Sequence, residues 1–299
     1  MANWIPRAAS LQPDEPCALC GSQSKRQLSH LIPKFVFQHA SVRSPTGYLR
    51  TNVSPNRRSQ DGPKEYLLCR PCEQRLSRWE NRFSAVFKRH HEEPGQTFNY
   101  TDEHALCALS IVWRVLAHQR AHPELQHLTF GRDYGRTDDA YSAWAEVLLG
   151  NREHPGDFRL NWLWFDYVTN GPPDLNRYLF HCCDFDVWAS EKRSFSVVHL
   201  PGVFIIGTLE AGRRSEIRGF DVSFKGGRYM GHGNKAAPPW LQSYIEQKMA
   251  ARRAAIDGLS PAQQAKIAQT VLADPKKALE SPLFRATKYD MAANPNFRL

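Results

Sequence analysis

The chain has 299 residues, of which 41% are hydrophobic and 23% charged, with 20 Pro and 18 Gly. This composition is typical of a globular protein and excludes a coiled coil or a low-complexity chain. The net charge of +9 is unevenly distributed, because residues 1–98 carry 15 basic and 8 acidic side chains, whereas residues 99–299 carry 24 and 22. The excess of positive charge therefore belongs to the first third of the chain.

Neither a membrane segment nor a disulfide framework is indicated. The longest apolar stretch, residues 200–209, is far shorter than the roughly 20 residues that cross a bilayer. The first residues lack the apolar core of a secretory signal. We therefore expect a soluble, cytoplasmic protein without membrane insertion, whose seven cysteines are thiols or metal ligands.

In chain order, residues 1–16 contain three prolines and are predicted to be a leader or loop. Residues 17–60 hold seven basic residues and no acid, which indicates a surface of one sign. Residues 41–63 are rich in Ser, Pro, Asn, Gly and Arg and are predicted to form a loop. A helix is predicted after Cys72, because apolar residues from Leu76 onwards recur every three or four positions.

The sequence HHEEPGQ at 90–96 interrupts this helix and places a domain boundary near residue 98. Helices are predicted beyond it over 102–119, near 138–150, from 239 to about 255 and from 261 onwards, with antiparallel strands between 178 and 224 and a loosely patterned tail after 282. The division is therefore a leader over 1–16, a module over 17–98 and a larger domain over 99–299.

Two C-x-x-C pairs, Cys17 with Cys20 and Cys69 with Cys72, are separated by 48 residues. Each pair can place two thiolates around one tetrahedral ion, and together they predict a structural Zn²⁺ site without an open position for water. A redox dithiol is disfavoured, because neither pair follows a strand in a βαβ pattern. Four unrelated cysteines are the alternative.

The order of C-x-x-C, then His30-Leu-Ile-Pro, then Leu-Leu-Cys-x-x-Cys at the start of a helix resembles the zinc-containing HNH endonucleases of the ββα-metal (His-Me finger) superfamily. The run SHLIPKFVF also resembles a bacterial subgroup of orphan HNH proteins associated with phage defence. The resemblance covers residues 17–90. It implies an N-terminal zinc-stabilised, treble-clef-like ββα-metal module. Together with the helices and strands predicted beyond residue 98, this gives an expected α+β fold, in which a larger α+β domain with a small antiparallel sheet and C-terminal helices follows the module.

The resemblance implies metal-dependent hydrolysis of DNA phosphodiester bonds, with His30 as the general base. It also implies a catalytic Mg²⁺ or Mn²⁺ held between Ser29, before the histidine, and Glu73, at the start of the helix. Ser29 stands where Asp is frequent, and Glu73 where His or Asn is usual. Glu80, two turns after Glu73, is a further candidate for holding the ion through water.

The middle Asn of the HNH pattern is missing or displaced near Lys64, and Asn52 and Asn56 are candidates to replace it. These departures leave a second interpretation open. A catalytically inactive zinc module would bind nucleic acid or dock onto a defence complex. His30 would then be a histidine packed against the zinc knuckle, and Glu73 an acid favoured by the dipole of its helix.

Basic side chains near these residues suit contacts to phosphates on either side of a scissile bond. The candidates are Lys34, Arg57, Arg58, Arg75, Arg78 and Arg82. They predict sequence-tolerant binding of DNA and do not distinguish DNA from RNA. Residues 99–299 are expected to recognise a protein partner or substrate, or to restrain the nuclease.

Two other groups are interpreted without a functional role. His118 and His122 are four residues apart, but no Glu follows His118, and Pro123 is expected to end the helix, so both are assigned to the core or surface. Cys182 and Cys183 lie in an aromatic and acidic stretch and are interpreted as buried thiols rather than nucleophiles.

Overall fold

The computed structural model describes residues 12–122, 134–190, 193–210, 219–231 and 237–294. It confirms a mixed α+β fold with small antiparallel sheets. The strands are β1 (Arg26–His30), β2 (Lys64–Cys69), β3 (Phe98–Tyr100), β4 (Leu160–Trp164), β5 (Asp184–Ser190), β6 (Arg193–Leu200), β7 (Val203–Glu210) and β8 (Gly227–Tyr229). The helices are α1 (Lys34–Arg43), α2 (Arg70–Glu92), α3 (Asp102–Arg120), α4 (Tyr134–Leu149), α5 (Leu175–His181), α6 (Pro239–Asp257), α7 (Pro261–Ala273), α8 (Pro275–Glu280) and α9 (Pro282–Ala293).

The N-terminal part is a two-stranded antiparallel ribbon followed by a long helix. In the ribbon, His30 of β1 pairs with Lys64 of β2, and Ser29 pairs with Glu65. β2 runs directly into α2, with Cys69 as the N-cap residue and a proline in the first turn, where the missing N–H is not needed. This ββα-like start agrees with the predicted module, and α1 and an irregular segment over 44–63 connect its two strands.

The larger sheet has the strand order β4-β7-β6-β5, with every neighbouring pair antiparallel. Strands β4, β6 and β7 are buried along nearly their whole length, so both of their faces are covered by core residues, whereas the edge strand β5 is only partly buried. On one face Val198 joins the core that includes α3, and on the other Val197 packs in a second core with α5 and α6. The predicted strand-rich region between 178 and 224 thus holds three strands of this sheet, and the GRRSE sequence lies outside the described residues.

The hydrophobic core continues across residue 98. A single buried cluster contains Leu67 of β2, Phe83 of α2, Val112 of α3 and Ile205 of β7. The ribbon and α2 therefore pack directly on the elements that follow, while the division of the chain into domains at residue 98 stays a prediction.

The C-terminal helices begin at sequence signals that the structure uses. The side chains of Ser260, Asp274 and Ser281 accept hydrogen bonds from backbone N–H groups of the first turns of α7, α8 and α9, and a proline follows each. The prediction of a loosely patterned tail after residue 282 was wrong, since α9 covers 282–293. Within the described ranges, no helix combines the length and apolar character needed to span a membrane.

Candidate functional site

Four cysteine side chains meet where β2 passes into α2. The Sγ atoms of Cys17, Cys20, Cys69 and Cys72 all lie within 4.8 Å of one another, and none forms a disulfide. Cys20 Sγ and Cys69 Sγ are 3.7 Å apart, close to the ~3.8 Å edge of a tetrahedron with Zn–S bonds of about 2.3 Å. The predicted cluster is confirmed as a group that could hold a structural metal ion such as zinc.

Backbone contacts fix this cluster. The first knuckle turns at Gly21, whose φ of +69° is readily adopted only by glycine, and Gly21 N–H donates to the carbonyl of Cys17. Ala18 N–H donates to Leu67 O of β2, and the Tyr141 hydroxyl of α4 donates to Ala18 O. The thiolates needed for metal binding are thus presented by a loop held from both sides.

His30 lies at the end of β1 beside an acid that sequence reasoning missed. His30 Nε2 is 2.7 Å from Asp61 Oδ1, and the other carboxylate oxygen is 2.6 Å from Lys64 Nζ. The His30 side chain is 18% exposed, so solvent reaches it. The result is a His–Asp pair of the kind that orients a general base.

The Asp61 carboxylate is held ionised. Burial raises the pKa of Asp61, but hydrogen bonds from Lys64, His30 and the Gly62 N–H outweigh burial and lower it to about 2. Gly62 also permits a close approach, because a Cβ at this position would lie 1.9 Å from the Phe37 ring. A larger residue next to the acid would therefore require the Phe37 ring to move.

Ser29 is not placed with His30. Successive side chains of a strand point to opposite faces, and Ser29 pairs with Glu65 while His30 pairs with Lys64. Ser29 is 1% exposed, and its hydroxyl donates to the carbonyl of Gln27 at 3.3 Å. The predicted role of Ser29 as an ion ligand next to His30 has no support in this geometry.

Glu73 and Glu80 of α2 lie near a buried arginine from α3, and Glu80 contacts it. Arg114 donates to Glu80 Oε1 at 2.5 Å and to the backbone carbonyl of His30 at 2.9 Å. Burial lowers the pKa of Arg114, but the charges of Glu80 and Glu73 raise it above its ordinary value. Glu80 is thus paired with a protein cation, which corrects its expected role in holding an ion through water, while Glu73 lies within electrostatic range of the same guanidinium.

The predicted phosphate-binding residues fall into two sets. Two are used within the protein: Arg75 donates to the carbonyls of Leu148 and Leu149 at the end of α4, and Arg82 pairs with Glu103. The others remain on the surface, with Arg58 lying over the Tyr48 ring and with exposed Lys34, Arg57 and Arg78. Basic charge is therefore available to a ligand mainly from α1, the 44–63 segment and the middle of α2.

A second group of ligand-type side chains lies between β2 and the end of α3. Glu65 Oε1 is 3.2 Å from His122 Nε2 and 3.4 Å from His118 Nδ1. Burial alone would raise the pKa of Glu65, but the two imidazoles lower it to about 2. In the sequence, the four-residue spacing of His118 and His122 could allow them to share a metal, but the carboxylate that completes the group comes from a residue far from both histidines.

Asp61 also lines a cavity of about 290 Å³ between the 44–63 segment, the start of β5 and α6. Asn52 lines the same cavity, whereas Asn56 bonds to Gly258 O and to the Ser260 N–H before α7. Asn56 is therefore occupied in docking the C-terminal helices.

Cys182 contributes to the cavity wall, and burial raises its pKa to about 11, so it is a protonated thiol and a poor nucleophile at neutral pH.

Comparisons of the chain with protein-family models, with curated proteins and with solved structures give no match. Any activity is therefore inferred from the arrangement of the residues themselves. In the described part of the chain, groups of at least three His, Cys, Asp or Glu donors within 4.8 Å are the four-cysteine cluster and the group of Glu65, His118 and His122, and Glu73 belongs to neither.

Proposed function

We propose that this protein is a nuclease that hydrolyses phosphodiester bonds of DNA, with His30 as the general base. The observation that supports it best is the 2.7 Å contact between His30 Nε2 and Asp61 Oδ1. An ionised carboxylate accepts a hydrogen bond, so it favours the tautomer that carries the proton on Nε2. The lone pair on Nδ1 is then free to take a proton from water.

In the proposed reaction, Nδ1 of His30 takes a proton from a water molecule as the water oxygen attacks phosphorus. A new P–O bond forms, the bond to the 3′ oxygen breaks, and that oxygen takes a proton from a solvent water, which gives 5′-phosphate and 3′-hydroxyl ends. Asp61 stabilises the imidazolium until its proton passes to solvent. Lys34, Arg57, Arg58 and Arg78 would hold the flanking phosphates without reading bases.

The divalent ion implied by the HNH resemblance is only partly matched by the residues. Glu73 has the carboxylate that Mg²⁺ or Mn²⁺ prefers, and a bound ion would stabilise charge on the leaving oxygen. Ser29 does not fit, because its buried hydroxyl donates to Gln27 O. A divalent ion held jointly by Ser29 and Glu73 is therefore not supported by this geometry.

We also propose that the four-cysteine cluster binds Zn²⁺ as a structural ion. Four thiolates complete a tetrahedral shell and leave no position for a reactive water. The ion would join the first knuckle to the junction of β2 and α2. It would thereby hold the ribbon on which His30 lies.

A second function, binding of nucleic acid without cleavage, is favoured by one observation. Two side chains that could contribute to an ion site are used elsewhere, since Ser29 is turned to the other face and Glu80 is paired with Arg114. The zinc module would then offer only its basic surface. Such binding would weaken steeply with added salt.

The test is cleavage of supercoiled plasmid by the purified full-length protein with Mg²⁺ or Mn²⁺. We expect His30→Ala to lower the rate by about 10²- to 10⁴-fold, the contribution of a general base. Asp61→Asn should lower it less and shift its pH profile, while the exposed His154→Ala serves as the matched control. Equal cleavage by wild type and His30→Ala, or no cleavage with any divalent metal, would contradict the nuclease proposal. Retained, salt-sensitive binding without cleavage would support the binding function.

A further inference from the structure

We propose that Glu65, His118 and His122 form a second metal site, which binds a divalent transition-metal ion and prefers zinc. The three donor atoms lie within 4.8 Å of one another. They lie on the side of the ribbon that Ser29 faces, whereas His30 and Asp61 lie on the other. The proposal is independent of the nuclease activity.

The distances between the donors suit coordination. An ion with bonds of about 2.0 to 2.1 Å at tetrahedral angles holds its N and O ligands roughly 3.3 to 3.4 Å apart. Glu65 Oε1 lies 3.2 Å from His122 Nε2 and 3.4 Å from His118 Nδ1. The four-cysteine cluster shows the same agreement at the larger spacing expected for sulfur.

A simple ion pair explains these contacts less well. Charge-assisted N–H···O bonds are about 2.7 to 2.9 Å long, and His30 with Asp61 reaches 2.7 Å. Among the described residues, the buried atoms His118 Nδ1 and Glu65 Oε2 have no hydrogen-bond partner. A buried nitrogen whose closest polar contact is this long ion pair, beside a buried carboxylate oxygen without a hydrogen bond, is costly unless a ligand occupies the site.

The fold fixes each donor on a rigid element. Glu65 is held in β2 by its pairing with Ser29. His118 lies in the last turn of α3, and His122 follows the helix with its N–H bonded to Gln119 O, so the two rings approach to 4.3 Å between centroids. The backbone keeps a helical conformation through Ala121, so positions 118 and 122 lie on the same side, which is how the two imidazoles reach one carboxylate.

The donor set selects the class of metal. Two imidazoles and one carboxylate suit zinc and its neighbours better than Mg²⁺ or Ca²⁺, which prefer oxygen. Three protein donors leave one tetrahedral position for water or another ligand. The side chains are only 6 to 13% exposed, so a bound ion would mainly tie β2 to the end of α3.

The test counts metal bound to the full-length protein. After removal of metal under reducing conditions and titration with Zn²⁺, we expect two zinc ions per chain in wild type and one in His118→Ala or Glu65→Gln. The remaining site in those variants should keep its affinity, while the lost site should weaken by more than about 100-fold, since loss of an outer-shell partner alone costs 10- to 100-fold. His154→Ala is the matched control and should bind two.

Two further measurements separate ligation from folding. Circular dichroism identifies a variant that has unfolded, and His118→Cys, which restores a donor atom, should return the second zinc ion. With Co²⁺ in place of zinc, the thiolate charge-transfer bands should be equal in wild type and His118→Ala, while absorption from nitrogen-ligated cobalt is lost. A single zinc ion in wild type, or two in folded His118→Ala, would overturn the proposal whatever the plasmid assay shows.

Discussion

Helix α3 carries a stripe of polar residues, in which Arg114 and His118 contact carboxylates of α2 and β2 in two different ways. The helix is largely buried and apolar, but Ser110, Arg114 and His118 follow one another at four-residue spacing. Arg114 meets Glu80 of α2, and His118 meets Glu65 of β2. Each contact brings a buried charge into the interface between α3 and the elements before it.

The two ends differ in how the negative charge is balanced. Arg114 always carries a positive charge, and it also bonds to Ser110 and to the carbonyl of His30, so the pair with Glu80 is internally compensated. An imidazole is neutral near pH 7 unless its surroundings hold a proton on it, and Glu65 faces two of them. The carboxylate at one end of α3 is thus matched by a cation of the protein itself, whereas at the other end we propose that a bound metal ion supplies the positive charge.

The largest effect is expected when the four-cysteine cluster is removed, because both ends of the stripe depend on β2 and α2. Structural zinc contributes about 10 to 16 kcal/mol in small zinc domains, more than the whole stability of a typical domain. Cys72→Ala or strong chelation should therefore abolish hydrogen-exchange protection of β2 and of the start of α2. Cys182→Ala, which lies outside both donor groups, is the control. Full protection of β2 in Cys72→Ala would contradict a structural ion.

A smaller but still large effect is expected at the compensated end. Arg114→Met removes the buried cation and leaves the partly buried Glu80 carboxylate without its partner. Breaking one side of a buried pair costs about 3 to 5 kcal/mol, and the partial exposure of Glu80 places the expected loss at the lower end of that range. Urea unfolding measures this loss. The double variant Arg114→Met with Glu80→Met removes both charges and should recover much of the stability. A loss below about 1 kcal/mol in the single variant would show that this end does not differ from an exposed pair.

The sequence predicted the features whose signals are local. The cysteine pairs, the capping residues before α7 and the apolar face of α2 each lie within a few residues, and the structure contains all of them. The Ser260-Pro261 signal, for example, marks the start of a helix because a cap and a missing N–H act within one turn. Such features need no knowledge of the tertiary fold.

The features that were missed are assembled by tertiary contacts. Asp61 was hidden in a segment predicted as loop, and Glu65 in a short strand, 53 positions before His118. Arg114 is a single polar residue within a buried helix. Its partner Glu80 lies on another helix, where the sequence suggested a role in holding an ion. A residue's spacing does not reveal its partner when that partner comes from another element.

Acidification tests how histidines that are desolvated without a carboxylate partner affect the free energy of unfolding. Burial lowers the pKa of His199 to about 3 and those of His39 and His181 to about 4. These values lie below the unfolded value of about 6.5, so the stability is complete above pH 6.5 and falls as the pH drops towards the folded values. Each group removes up to about 1.4 kcal/mol per pH unit in that window.

The check is urea unfolding between pH 7 and 4.5 for wild type and His199→Gln. The His199 Nε2–H donates to Leu179 O, and the glutamine amide keeps a donor while removing the titration. We expect a shallower loss of stability with falling pH in the variant. An identical slope would show that His199 does not contribute a proton-linked destabilisation.

The smallest effect is expected at the surface arginines, some of which are bonded within the protein while others are exposed to solvent. Arg75 donates two hydrogen bonds to the end of α4, so Arg75→Gln should lower stability by about 1 kcal/mol, whereas exposed Arg57→Gln should change it by less than about 0.5 kcal/mol.

For binding to duplex DNA we expect the opposite order, with the larger effect from Arg57→Gln and the smaller from Arg75→Gln. Because each phosphate contact contributes about 0.9 to the slope of log affinity against log salt, Arg57→Gln should reduce that slope by about 1 and Arg75→Gln by less. Equal slopes in both variants would mean that the exposed Arg57 contacts DNA phosphates no more than Arg75, which is bonded within the protein.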